Sequence, residues 1–334
     1  MGEPTPVTRL LIAPDAFKGT LSAREVAAAI ARGVRDAGGE AEECPVADGG
    51  EGTIDVLLEA LEGERRTASC QDPLGRRIDA SWAWIARSET ALIEMASASG
   101  LALVDPSERD AERASSAGTG ELLLAARDAG AREAVLAIGG TATSDGGRGA
   151  VEAIERGGGL GAMRLVLACD VHIPFESAAV VFGPQKGATP QAVRRLTDEL
   201  HALAAKLPRD PRGRPLTGAG GGLAGALWAL YDAELREGAS FVLDALGFEE
   251  RLRGADAVVV GEGRLDEQTR HGKIAGEIAR RAGGRSTPVH AIVGSIAGEP
   301  GEAWPELASV RVAGTEERLR DAGAELLANA AATL

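Results

Sequence analysis

Short apolar runs that stop at a polar, glycine-bearing turn and then hand over to a helix recur along this chain. The first is RLLIA (9–13), followed by PDAFKGT and a helix. Ser22 with Glu25 three residues later reads as a capping box, and Val26, Ile30 and Val34 follow at helical spacing up to Gly38-Gly39. ADGGEGT (47–53) precedes a helix through Val56, Leu57 and Leu61. AVLAIGG (134–140) runs into TATSDGGRG, RLVLACD (164–170) ends on Asp170, and ADAVVVGEG (255–263) opens a polar loop before another helix start. PVHAIVG (288–294) and SVRVAG (309–314) are two more strands, and a last helix starts near Thr315. Strands alternating with helices make a parallel sheet, so the repeated unit predicts an α/β fold. In such sheets ligands bind at the carboxyl ends of the strands.

Other stretches differ. DASWAWIA (79–86) and TALIEMA (90–96) are candidate strands, and the helix from Thr189 has Pro190 at its first position and a Leu196, Leu200, Leu203, Leu207 stripe. PRDPRGRPLTGAGGG (208–222) is loop by composition, and GGLAGALWAL (221–230) reads as a glycine-initiated buried helix. A composition shift near 75–80 and the return of Rossmann-like strands after 250 predict two α/β domains. One is discontinuous, 1–78 plus 250–334, and the other is 79–249.

The 334 residues carry a formal charge of −14, which argues against an exposed basic track for nucleic acid or anionic lipid. Cys44, Cys70 and Cys169 have neither metal spacing nor an even disulfide framework, and no run is long enough to cross a membrane. A soluble cytoplasmic protein is expected, with no membrane or nucleic-acid partner. His172, His201, His271 and His290 form no HxH or HExxH pattern.

Polar side chains gather where the strands end: Asp15 and Lys18; Asp48 and Glu51; Thr141, Thr143, Ser144 and Asp145; Asp170; Gln185 and Lys186; Glu262, Arg264, Asp266 and Lys273. Glycines let backbone N–H groups face an anion, lysine neutralises phosphoryl oxygens, and carboxylates hold Mg²⁺ or take a proton from a hydroxyl. Each motif alone also reads blandly, as an Asx turn, a cap or a solvated lysine. No GxxxxGK(S/T), clean GxGxxG or GxSxG is present. The residues alone point to a phosphate- or nucleotide-handling α/β enzyme, with Mg²⁺ as a candidate cofactor.

Taken in order, IAPDAFKGTLSA (12–23), ADGGEGT (47–53), IEMASASGL (93–101), IGGTATSDGG (138–147), CD (169–170), VFGPQKGAT (181–189), GAGGGLAGAL (218–227) and VGEGRLDEQTRHGK (260–273) resemble the glycerate kinase family. The matches span roughly residues 10–300. The resemblance implies two α/β domains with the active site in the cleft between them, and transfer of a phosphoryl group from ATP, with Mg²⁺, to D-glycerate. It favours 2-phosphoglycerate as product. Phosphorylation at the 3-hydroxyl, a kinase of another small hydroxyacid, and a non-catalytic nucleotide-binding or regulatory protein stand as alternatives. A monomer or a homodimer is expected. Three departures bear on substrate preference, one of them RGGGLGAM (156–163), which stands in a compact 149–165 segment where the family tends to carry a longer stretch. Ser144 stands where the family resembles GGSATNDGG, and CDVHIPFESAAVV replaces an Asn-Pro pair and a glycine-rich segment.

On that resemblance, Lys18 and Arg264 are candidates for the glycerate carboxylate, and Asp15, Asp48 and Glu51 for the rest of the substrate site. Asp170 and Asp266 are candidates for base and metal ligand, with Lys18 and Lys273 also catalytic and Glu262 a further metal ligand. Gly139, Gly140, Thr141, Thr143, Ser144, Asp145 and Lys186 are candidates for the nucleotide phosphates.

Overall fold

The computed structural model describes residues 8–169, 171–265, 274–297 and 306–331. In chain order its main elements are β1 (Arg9–Pro14), α1 (Ala23–Asp36), β2 (Glu40–Glu43), α2 (Thr53–Ala60), β3 (Glu64–Gln71), β4 (Arg77–Ile85), β5 (Thr90–Glu94), α3 (Ala96–Ser99), α4 (Ala117–Asp128) and β6 (Glu133–Ile138). They continue as α5 (Arg148–Arg156), β7 (Arg164–Cys169), α6 (Ala178–Phe182), α7 (Pro190–Ala204), α8 (Leu223–Tyr231), β8 (Glu234–Glu237), α9 (Gly238–Ala245) and α10 (Phe248–Arg253). The last are β9 (Ala257–Glu262), α11 (Ile274–Gly283), β10 (Val289–Val293), β11 (Ser309–Val312) and α12 (Glu316–Ala331). The apolar runs are the strands that alternation with helices requires. No helix among the described residues is long and apolar enough to cross a membrane.

The chain divides into two compact units, Met1–Asp48 with Val242–Leu334, and Gly49–Phe241. Residues 49–78, which composition groups with the first unit, lie in the second. The physical reason is β3, which pairs antiparallel with β4 from Glu64↔Trp84 to Gln71↔Arg77.

The first unit holds a five-stranded parallel sheet in the order β11-β10-β9-β1-β2. From β1 the chain moves outward to β2, and it returns as β9 on the other side of β1. That reversal of direction leaves a crevice at the carboxyl ends of β1 and β9, where open α/β sheets bind ligands. The capping box forms as the sequence predicts: Glu25 N–H donates to Ser22 Oγ, and Ser22 N–H donates to Glu25 Oε2 at 2.8 Å. This fixes where α1 starts and how long the preceding turn is. One face of α1, through Val26, Ile30 and Val34, packs with Leu319, Leu326 and Leu327 of α12 and with Leu10 and Ile12 of β1.

The second unit carries six strands in the order β3-β4-β5-β6-β7-β8, antiparallel from β3 to β5 and parallel from β5 to β8. Its core joins Ile93, Leu136 and Leu167 of the central strands to Leu122 and Leu123 of α4, Ile154 of α5 and Leu227 of α8. The leucines of α7 form a separate cluster: Leu196 and Leu200 pack with Phe175, Ala178 and Ala179.

α1 and α12 approach at two glycines. A Cβ on Gly33 would stand 1.8 Å from Arg320 O, and one on Gly323 would stand 2.4 Å from Ile30 O. Backbone oxygens cannot yield as a side chain can, so Gly33→Ala must push the helices apart. We expect a loss of about 1–3 kcal/mol in urea unfolding. Gly283 at the end of α11 has open space around it. Gly283→Ala should therefore be neutral or stabilising by up to about 1 kcal/mol.

Candidate active site

In the first unit, a cleft of about 420 Å³ opens at the reversal of strand direction, lined by Asp15, Lys18, Asp48, Glu262, Arg264 and Ser295 among others. Asp15 follows β1 directly. Its N–H donates to Gly261 O at 2.8 Å, and its Oδ1 accepts from Ala16 N–H at 2.6 Å. The chain then closes a tight turn: Phe17 N–H donates to Leu21 O, and Thr20 and Leu21 N–H both donate to Phe17 O. Gly19 takes the left-handed φ of +82° that the turn needs. Phe17 is buried and wedged beneath, close to Gly263 and Gly294, while Lys18 rides exposed on the turn.

Three carboxylates share this cleft. Asp15, Asp48 and Glu262 are each less than 10 % exposed (9 %, 8 % and 7 %). Burial pushes the Asp15 carboxyl up to about 8, and the negative charge of Asp48 adds to the rise; the Ala16 N–H and the Lys18 ammonium oppose it. Asp15 is therefore held mostly protonated near neutrality, able to donate as well as accept. Lys18 and Arg264 bring positive charge to the same cleft, and Arg264 is exposed. The set suits a small ligand that has both an anionic end and hydroxyl groups. Among the described residues no group of three or more His, Cys, Asp or Glu is arranged to hold a metal ion. Mg²⁺ commonly takes only one or two protein carboxylates and completes its shell with water and phosphate oxygens, so the oxygen donor Glu262 suits it chemically.

The second unit has a smaller, polar pocket of about 70 Å³ lined by Gly139, Gly140, Thr141, Gln185, Lys186, Gly220 and Gly221, with Val171 and Phe182 at its apolar side. Lys186 is only 3 % exposed, and its Nζ donates to Thr143 O at 2.6 Å and to Thr141 Oγ1 at 3.4 Å. Gly140, Gly220 and Gly221 have φ of 62°, 63° and 69°. Such left-handed glycines build the backbone concavities that take anions. A Cβ on Gly221 would fall 2.1 Å from Thr143 O, so only glycine lets loop 218–222 close against loop 141–145. The GAGGG run, loop by composition, is thus part of this pocket wall, and α8 begins at Leu223 with Gly222 as its N-cap, as a glycine-initiated helix should. The signal was the run of three glycines ahead of an apolar helix.

The remaining candidates separate. Thr143 is buried, with its hydroxyl 3.4 Å from Gly220 O, and Ser144 Oγ is buried without a hydrogen-bond partner among the described residues. The Asp145 carboxylate accepts from Ser116 N–H and Oγ–H and from Gly147 and Gly149 N–H. Asp48 lines the first-unit cleft, whereas Glu51 belongs to the second unit and is exposed, 3.7 Å from where a Cβ on Gly140 would stand. Asp170, Asp266 and Lys273 lie outside the described residues, as does His271. Glu94 is a residue that strand-end reading passed over. Its Oε1 accepts from Gly52 and Ile54 N–H at 3.0 and 2.8 Å and caps α2, and burial raises its pKa above the ordinary carboxylate value.

Asp15 also yields a stability prediction. Its folded pKa of about 8 lies above its ordinary 3.8, so between these values the folded chain binds more protons than the unfolded chain. Stability from this group is full below about pH 4 and is lost as pH rises through about 8. Asp15→Asn should raise the melting temperature by several degrees near pH 8 and hardly at all near pH 4, as read by calorimetry across that range.

Comparison with known proteins is consistent with this arrangement. The model of the glycerate kinase family matches residues 10–159 and 155–333. The chain is 38% identical over 330 residues to glycerate 2-kinase of Escherichia coli K12, covering 88% of this chain and 87% of that protein. It is 39% identical over 328 residues to glycerate kinase of Bacillus subtilis 168, covering 86% and 85%. A crystal structure described as glycerate kinase 2 from Salmonella typhimurium LT2 superposes with a TM-score of 0.82 at 36% identity, covering 98% of this chain and 99% of that one. With both α/β units matched along nearly their whole length, the chain belongs to the glycerate kinase family.

Proposed function

We propose that this kinase transfers the γ-phosphoryl group of ATP to the 2-hydroxyl of D-glycerate, giving ADP and 2-phosphoglycerate. The observation that carries the reading is the first-unit cleft, where Lys18 and Arg264 face a site walled by Asp15, Asp48 and Glu262. The naming of the Escherichia coli relative as a glycerate 2-kinase supports the 2-position.

In this reading Lys18 and Arg264 hold the carboxylate of glycerate, and Asp15 and Asp48 orient its two hydroxyls. A mostly protonated Asp15 can donate to the anionic substrate rather than repel it. The glycine-rich loop Gly139–Asp145 and Lys186 hold the phosphates of the nucleotide. Gly139, Gly140 and Thr141 line the pocket, and Lys186 anchors the loop through Thr143 O. The attacking hydroxyl oxygen forms its bond to the γ-phosphorus as the bond to the ADP oxygen breaks, and the hydroxyl proton passes to a carboxylate. Asp170 and Asp266 are assigned to that step, with Lys273 contributing charge. Glu262, with the same two aspartates, would hold Mg²⁺, which when bound neutralises phosphate charge. In such transfers the protein contributes mainly positioning and electrostatic stabilisation. The enzyme is proposed to work in the cytoplasm.

Incubation with ATP, Mg²⁺ and D-glycerate, read by phosphorus NMR, tests donor, acceptor and position together. A product phosphorus split by one proton identifies the 2-phosphate; splitting by two protons identifies the 3-phosphate and overturns the regiochemistry. A panel of other small hydroxyacids tests the acceptor. Lys18→Ala should raise the KM for glycerate about tenfold or more, the scale of one lost hydrogen bond to a charged group, while the KM for ATP stays near that of the parent. An unchanged glycerate KM dismisses Lys18 from the carboxylate role.

A further inference from the structure

The IEMASASGL motif and the residues that open α4 have no part in the reaction as assigned above, yet they are tied to the loop that lines the second-unit pocket. Leu101 N–H donates to Gly140 O at 2.8 Å, and Ala142 N–H donates to Ser99 O at 2.9 Å. Ser99 and Thr119, both fully buried, share a hydroxyl–hydroxyl bond of 2.7 Å. The strongest tie is at Asp145. Its Oδ2 accepts from Ser116 N–H at 2.9 Å, Ser116 Oγ at 2.8 Å and Gly149 N–H at 3.1 Å, and its Oδ1 accepts from Gly147 N–H at 3.0 Å. Ser116 Oγ in turn accepts from Ala150 N–H at 3.0 Å.

This is a cap shared by two helices. Asp145 precedes α5 yet also takes the N–H of the residue that precedes α4, and Ser116 precedes α4 yet takes an N–H of α5. Four N–H groups at these two helix starts, those of Ser116, Gly147, Gly149 and Ala150, are met by one carboxylate and one hydroxyl. Steric fit holds them together: a Cβ on Gly149 would meet Ser115 Oγ at 2.2 Å, Ala117 N at 2.8 Å and Asp145 Oδ2 at 3.1 Å. With four protein donors on its two oxygens, the Asp145 carboxylate is already committed within the fold.

We propose that Asp145 and Ser116 are positioning residues for nucleotide phosphate: they fix the shape of loop 139–149 and thereby of the pocket wall at Gly139, Gly140 and Thr141. The inference rests on the reading of that pocket as the phosphate site. Asp145 acts through the loop, and the anion meets backbone N–H groups that the cap has pre-set. Such preorganisation lowers the ordering cost of binding and is lost when the supporting side chains are cut back.

The test uses the full chain, with Asp145→Asn and Ser116→Ala. Asparagine keeps the size of aspartate, but its NH₂ end cannot accept from the backbone N–H groups it faces. Ser116→Ala is the milder change and decides the matter if Asp145→Asn does not fold. ADP affinity is read by titration calorimetry, glycerate and ATP KM by steady-state kinetics, and folding by thermal melting. Both folded variants should bind ADP more weakly, about tenfold for Asp145→Asn and several-fold for Ser116→Ala, with the glycerate KM within about twofold of the parent. That split is what a general loss of stability would not produce. Parent-like ADP affinity in the folded variants overturns the proposal, as do ATP and glycerate KM values that rise together, or a parent chain that does not bind ADP. A parent chain that binds ADP without phosphorylating glycerate overturns the proposed reaction instead, and the affinity comparison still decides the positioning role.

Discussion

Parallel pairing of β1 with β9 is the constraint on which the first-unit site depends. It aligns Leu10 with Ala257 and Pro14 with Gly261, segments separated in sequence by the whole of the second unit. Because both strands point the same way, their polar ends arrive together, and Asp15 comes within reach of the charge of Glu262. An antiparallel pair would send the two loops to opposite ends of the sheet. Asp15 N–H donating to Gly261 O extends the ladder one residue past the strand and fixes the backbone from which the carboxyl projects.

That gathering has an energetic cost. Burial removes the Asp15 carboxyl from water, and the negative charge of Asp48 beside it adds to the cost, which the fold meets by keeping a proton on Asp15. A residue chosen for stability alone would be neutral there. Perturbed titratable groups collect at functional sites because ligand chemistry needs them, even where the fold would be steadier without them. The turn carrying Lys18 is correspondingly well built, with three backbone hydrogen bonds and a buried phenylalanine beneath it, so an exposed lysine is presented from a rigid support.

Which parts of this were legible in the sequence follows from burial. β1, β6, β7, β9 and β10 are strands buried on both faces and read as plain apolar runs. β2, β3 and β8, with sequences EAEE, ERRTASCQ and ELRE, give no such signal, and each lies at an edge of its sheet. Charged edge strands guard against pairing with other chains, so the property that hides them from pattern reading is useful to the protein. The site divides in the same way. Asp15, Lys18, Asp48, Glu262 and Arg264 are visible as polar residues where apolar runs stop, and they share one cleft. The partners of Asp145 and Glu94 are not visible, because a sequence shows that a carboxylate follows a strand but not which N–H groups it faces. Ser116 lies 29 residues from Asp145, and Glu94 lies 40 residues from the Ile54 N–H it accepts.

The two proposed sites would hold a charged ligand by different physical means. The first-unit cleft relies on ionised side chains, and Lys18 and Arg264 are exposed on it, where water and salt screen their fields. The second-unit pocket relies on backbone, with left-handed glycines in two loops that close to within side-chain-forbidden distance and a lysine buried behind them. A backbone site has little freedom to adjust, so its geometry must be set beforehand by what surrounds it. In the proposed reading this is the part played by Ser99, Ser116, Thr119 and Asp145, whose side chains hydrogen-bond within the protein. The same logic explains the glycines: a methyl group at Gly221 would meet Thr143 O at 2.1 Å, and neither loop could keep its path.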